Sequence, residues 1–175
     1  RDIAQKFNIE YNVQNFFSVP EPMIQNEFAR IMSLKDGTKK MSKSDVSDLS
    51  RINLNDTKDE ILNKIKKAKT DSAPIPEKKE DLKDRPEAEN LLGIYSSLSE
   101  QNLDKTINQF SGKNFSEFKS SLSDILIEKI SPISDEIKKL KNDNSFIDQV
   151  LLEGKQKAEI ISLKKVEKIK ELIGF

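Results

Sequence analysis

Asp36-Gly37-Thr38-Lys39-Lys40-Met41-Ser42-Lys43-Ser44 (residues 36–44) separates two kinds of sequence. Before it, Phe28 to Leu34 reads as a strand, and Asp36-Gly37 is the turn signal that stops it. From Thr38 to Asp48 no hydrophobic period survives, so the stretch reads as a loop. Lys40 and Lys43 place two ammonium groups on that loop, with the hydroxyls of Ser42 and Ser44 beside them. Such a loop can close over a polyphosphate, with the lysines as point charges and the hydroxyls and backbone amides as donors. Met41 offers a polarizable side chain that can lie against a flat base. As a bare basic pentapeptide the segment is a weak signal, since basic loops are common and a solvated surface is the better reading until its flanks are considered.

Upstream, Arg1 to Asn8 reads as the tail of a helix, with Ile3, Ala4 and Phe7 on one face. Phe16 to Val19 reads as a short buried strand ended by Pro20, and Pro20 and Pro22 mark a loop. Two short strands make no stable sheet by themselves. Residues 1–56 are therefore expected to be the edge of a larger α/β domain. The chain opens on Arg1 rather than Met, which reads as a processed, trimmed or partial chain.

Downstream the period changes to that of helices. Thr57 to Glu60 forms a capping-box pattern ahead of Ile61, Ile65 and Ala68. Pro86 suits a first helical turn, followed by a face of Ala88, Leu91, Leu92, Tyr95 and Leu98. Leu103, Ile107 and Phe110 mark a shorter helix closed by Gly112. Phe115, Phe118, Leu122, Ile125, Leu126 and Ile130 mark a long one, which Pro132 should kink or break before Ile133, Ile137 and Leu140 resume it. Phe146 to Leu152 reads as a short helix with Gly154 as its cap, and Ile160 to Ile173 as the last helix. The fold class expected is mainly α: a C-terminal helical bundle over residues 57–175, attached to an incomplete helix-strand-strand remnant.

Composition narrows the chemistry. The 175 residues contain neither His nor Cys, which removes imidazole bases, Ser-His triads, thiolate nucleophiles and Cys- or His-based metal sites. Thirty basic residues balance thirty acidic ones, so no global field attracts nucleic acid or a membrane surface. The distribution is uneven: Lys64, Lys66, Lys67 and Lys69 crowd together with no acid among them, which in isolation reads as solvated surface. No apolar run approaches the roughly 20 residues of a membrane helix.

Lys40 to Ser44 resembles the KMSKS signature of class I aminoacyl-tRNA synthetases, and its surroundings resemble the tryptophanyl family in particular. Arg30-Ile31-Met32-Ser33-Leu34 before it and Ser50 to Asp56 (SRINLND) after it fit that pattern. So do Lys64-Ile65, Thr70-Asp71-Ser72, Arg85-Pro86, Asn90-Leu91-Leu92 and Ile173-Gly174-Phe175. The flanks point to tryptophan rather than to the tyrosyl relatives. The resemblance implies an ATP-dependent tryptophan–tRNA ligase, and that the helix-strand-strand remnant is the edge of a Rossmann-like α/β catalytic domain. Lys40 and Lys43 would be catalytic on the triphosphate, with Ser42 and Ser44 holding the loop around the phosphates. Met41 would lie near adenine, and Ile31 would line its pocket through the backbone. It further implies ATP with Mg²⁺ as substrate complex and no tightly bound cofactor or metal. The implied partners are L-tryptophan and tRNA(Trp), with a homodimeric full-length protein, a cytoplasmic location and no membrane. The loop from Asp36 to Asp48 would act as a mobile lid. The family's HIGH-type motif and tryptophan pocket have no counterpart in these residues, so the chain is expected to be the C-terminal half and inactive alone. Residues 57–175 would be its anticodon-binding domain, with no individual contact assignable. The competing reading is a non-catalytic helical module that binds tRNA or protein and keeps a vestigial phosphate loop.

Overall fold

The computed structural model describes residues 1–24 and 28–175. In chain order these form α1 (Asp2–Glu10), β1 (Met32–Ser33), β2 (Asp36–Lys40), α2 (Lys58–Lys67), α3 (Pro86–Leu98), α4 (Leu103–Phe110), α5 (Phe115–Lys141) and α6 (Asn144–Ile173). Short 3-10 turns lie at Asp48–Ser50 and Lys79–Leu82. The architecture is mainly α, with a single antiparallel strand pair among the described residues. No described helix is long and apolar enough to cross a membrane. The chain divides into two compact units, Gln25–Lys139 and Arg1–Ile24 with Leu140–Phe175.

In the Gln25–Lys139 unit, Thr57 starts α2 as expected: its Oγ1 accepts from the Glu60 amide at 3.3 Å, and its own amide donates to Glu60 Oε2 at 2.7 Å. That satisfies two otherwise free donors and turns Ile61 and Ile65 into the core. Pro86 occupies the first turn of α3, whose Ala88, Leu91 and Leu92 are buried. Asn102 caps α4 by accepting from the Lys105 amide at 2.9 Å. Phe110, Phe118 and Tyr95 then pack edge-on or tilted, with centroids 4.9 to 5.9 Å apart. These helices share one core with Leu34, Ile107 and Leu122. Each buried Leu, Ile or Phe is worth about 1.5–3 kcal/mol, so this apolar set supplies most of the unit's stabilisation.

Pro132 does not break α5, which runs unbroken from Phe115 to Lys141. The lost hydrogen bond is outweighed by packing on both sides of it, where Leu126, Ile130 and Ser134 are buried.

The strands differ from expectation. Only Met32 and Ser33 of the Phe28–Leu34 run are extended in a ladder, and the polar stretch Asp36–Lys40 is their partner. Asp36-Gly37 thus begins a strand rather than ending one, and the loop starts only at Met41. The register pairs Met32 with Lys40 and Ser33 with Asp36, with an irregularity between them. Non-local contacts hold this hairpin. Asn90 of α3 accepts from the Met32 amide and donates to the Met32 carbonyl, both at 2.8 Å. Leu34 donates to the Ser50 carbonyl at 2.9 Å and accepts from the Lys69 amide at 2.7 Å. Gly37 lies so close to α3 that a Cβ would stand 2.6 Å from the Glu87 nitrogen and the Pro86 carbonyl carbon.

In the other unit, Phe7 of α1 and Tyr11, the residue that caps it, join an aromatic cluster with Phe16 and Phe17, centroids 4.6 to 5.4 Å apart. Phe16 to Val19 is not a strand. The Asn8 side chain takes both the amide and the carbonyl of Phe17, at 3.0 and 2.8 Å, so those groups are not offered to a ladder. Asn15 just before it has φ 52°, a left-handed turn that Asn tolerates. Lys165 of α6 donates to the Phe16 carbonyl and lies 3.8 Å from the ring centroid of Phe16. α6 continues straight through Gly154, around which an added Cβ would meet nothing within 4 Å. Gly174, at φ 88°, is the residue that ends it.

Candidate phosphate-binding loop

The hairpin fixes where the basic loop begins. Lys40 is the last residue of β2, and the next amide, that of Met41, donates to the Ile31 carbonyl at 2.9 Å. Ile31 and Met41 are thereby brought together, and both are partly buried against the apolar core. Ser42 and Ser44 meet through their hydroxyls at 3.0 Å, and the Ser44 amide donates to Ser42 Oγ at 3.3 Å. Lys40 and Lys43 are exposed, and neither ammonium has an ion-pair partner among the described residues. Lys39, by contrast, is paired to Asp36 at 3.1 Å. Hydrogen bonds from the Thr38 hydroxyl and amide, then from Lys39, hold the Asp36 carboxyl down at about 2. Lys40 and Lys43 are thus exposed and not neutralised by any described carboxylate, a state in which they can meet an anion.

A charged network fixes where the loop ends. Arg51 donates from Nη1 to the Asp45 carbonyl at 3.0 Å and to the Ser47 carbonyl at 3.4 Å. Its other nitrogens reach Asn53 Oδ1 at 3.1 Å and Asp48 Oδ1 at 2.8 Å. Asp48 Oδ2 lies 2.7 Å from Lys64 Nζ, which also holds Asp56 Oδ2 at 2.6 Å. Lys64 is 2% exposed and Asp56 5%, an ion pair taken out of water. Burial pushes the Lys64 ammonium down, but its hydrogen bonds to Asp48 and Asp56 outweigh that and leave it above 10.5. Hydrogen bonds from Lys64 and Asn53 hold the Asp48 carboxyl below 3.8.

No local sequence signal announces this network. Arg51, Asn53 and Asp56 belong to the SRINLND stretch that carries the family resemblance, but a motif match does not reveal their mutual contacts. Lys64 does not meet the expectation of a solvated basic cluster. Instead it is a buried ion-pair partner, and Lys69 is bound to Glu87 at 2.7 Å. A cavity of about 410 Å³ beside the hairpin is lined by Phe28, Arg30, Met32, Gly37 and Asn90 among others, and by neither Lys40 nor Lys43. Among the described residues no group of three or more carboxylates converges as a metal site.

The hairpin, the basic loop and the helices behind them match a known family model, that of tRNA synthetases class I (W and Y), over residues 1–131, and the chain belongs to this family. Among individual relatives, it is 44% identical over 175 residues to the tryptophan–tRNA ligase of Caulobacter vibrioides, covering 100% of this chain and 51% of that one. It is 46% identical over 175 residues to that of Rickettsia conorii, covering 100% and 52%. Of solved structures, tryptophanyl-tRNA synthetase from Mycoplasma pneumoniae superposes with a TM-score of 0.79 at 25% identity, over 100% of this chain and 53% of that one. The Campylobacter jejuni enzyme, complexed with ADP and tryptophan, gives 0.68 at 25% identity over 100% and 52%. The chain spans about half the length of the curated relatives it matches.

Proposed function

We propose that this chain is the C-terminal half of a tryptophan–tRNA ligase. The whole protein joins the carboxylate of L-tryptophan to the α-phosphate of ATP, releases pyrophosphate, and then transfers the tryptophanyl group to tRNA(Trp). The observation that carries this reading is the anchored loop bearing two cations, Lys40 and Lys43, that have no ion-pair partner among the described residues, in a chain of this family. Negative charge grows on the β- and γ-phosphates as pyrophosphate leaves, and two ammonium groups placed there stabilise it. No protein base is needed, in keeping with a chain that has no His.

Ser42 and Ser44 supply hydroxyls and amides to the phosphates. Ile31 and Met41, joined at 2.9 Å, form the wall on the adenine side. Mg²⁺ enters with ATP as part of the substrate. Residues 1–56 form the edge of the catalytic domain, and residues 57–175 the anticodon-binding part. The whole protein is a homodimer in the cytoplasm. The reading is supported by the relatives' names, by their length and by the resemblance of residues 40–44 to the family signature.

The test is aminoacylation. The full-length protein containing this chain charges tRNA(Trp) with tryptophan, and the 175-residue chain alone does not. Charging with tyrosine instead, or turnover by the isolated chain, overturns the assignment.

A further inference from the structure

The basic loop is held at both ends, and the two holds are unlike. At its start the hold is one backbone hydrogen bond, from Met41 to Ile31. At its end the hold is by side chains: the Arg51 guanidinium alone grips the Asp45 carbonyl, and shares the Ser47 carbonyl with the Ser50 hydroxyl and amide. Only Ser42, Lys43 and Ser44 lie between these tethers. The Arg51 side chain is 17% exposed, and its orientation is set by Asp48 and Asn53. Asp48 is joined to Lys64, which projects from α2 beside the buried Ile61 and Ile65. An unbroken run of charge-assisted contacts therefore connects a core helix to the backbone one residue beyond Ser44. Four acceptors in four directions suit the fixed fork of a guanidinium, and a single ammonium cannot serve them all.

We propose that Arg51 is a positioning residue for adenylate formation: it fixes the return arm of the loop so that Lys43 meets the triphosphate. This rests on the ligase reading given above. Arg51 touches no reacting atom and works through the backbone of Asp45 and Ser47. Its removal lengthens the free segment and lets Lys43 wander, which costs rate in the ATP-dependent step and leaves tryptophan binding alone.

The experiment is tryptophan-dependent ATP–pyrophosphate exchange by the full-length protein, titrated separately in ATP and in tryptophan, with Tm recorded. Arg51→Met lowers kcat/KM for ATP about a hundredfold, the scale on which a misplacement of about 1 Å acts. The KM for tryptophan stays within about twofold, because the lost contact is not made with that substrate. Arg51→Lys recovers part of the loss, since one donor returns. Should Arg51→Met fail to fold, Asp48→Asn removes the charge that orients the guanidinium and gives a smaller loss on the same ATP axis. Unchanged ATP kinetics in these variants, or equal losses for ATP and tryptophan, overturns the positioning role while a working wild type preserves the ligase reading. A wild type that exchanges nothing overturns both.

Discussion

The side-chain amide of Asn90 stands in for a missing strand, closing two 2.8 Å hydrogen bonds on the backbone of Met32. The hairpin that leads into the basic loop is therefore aligned by a helix of the core. Asn90 is 6% exposed, so the pairing is made out of water, where an unpaired donor or acceptor is costly.

Asn90→Ala should destabilise the chain by about 2–4 kcal/mol, because two backbone groups of Met32 lose their partner together. Chemical denaturation measures this. A loss below about 1 kcal/mol would mean that water replaces the amide and that the hairpin is held elsewhere.

Gly37→Ala should cost about 1–3 kcal/mol, since the new methyl meets backbone atoms of Pro86 and Glu87 that cannot rotate aside. Faster amide exchange along Asp36–Lys40 accompanies it. A variant as stable as wild type, with an unchanged hairpin, contradicts the close approach.

Lys64→Met leaves the Asp56 carboxylate buried and without its cation, a loss of about 3–5 kcal/mol. Adding Asp56→Asn should restore much of it, because the unpaired charge is gone. If the double variant is as unstable as the single one, packing rather than charge explains the loss.

The same network sets a pH window. The Asp48 carboxyl is held below 3.8, so its contribution is complete above that pH and fades only as pH falls through its lower folded value. The Lys64 ammonium is held above 10.5, so its contribution is complete below that pH and fades as pH rises through its higher folded value. A carboxyl titration by NMR should place the Asp48 midpoint below 3.8. Asn53→Ala should move it upward, and a midpoint at the ordinary value contradicts the network.

Helices α2 to α4 were legible because their signals are local: a Thr57–Glu60 capping box, Pro86 in a first turn, and apolar residues recurring at helical spacing. The hairpin was not legible. The sequence Asp36–Lys40 alternates nothing hydrophobic, and it becomes a strand because Gly37 and Met32 dock on α3, some fifty residues away in sequence. Phe16 to Val19 failed in the opposite way: its apolar run suggested a strand, but Asn8 had claimed the backbone of Phe17. Gly154 and Pro132 were read as helix breakers from residue type alone, whereas Gly154 never adopts a left-handed φ and Pro132 is flanked by buried turns. For the candidate site, the two lysines and the serines were visible as a motif. The Arg51–Asp48–Lys64 support was not, because Lys64 stands among basic neighbours in sequence and meets Asp48 and Asp56, eight or more residues away, only when α2 packs.

Lys43 is the group proposed to stabilise charge on departing pyrophosphate. Tryptophan-dependent ATP–pyrophosphate exchange by the full-length protein, wild type against Lys43→Ala, tests it most directly. A fall of about 10²–10³ in rate, roughly 3–4 kcal/mol of lost transition-state stabilisation, is the predicted result. Exchange by Lys43→Ala at the wild-type rate would contradict it.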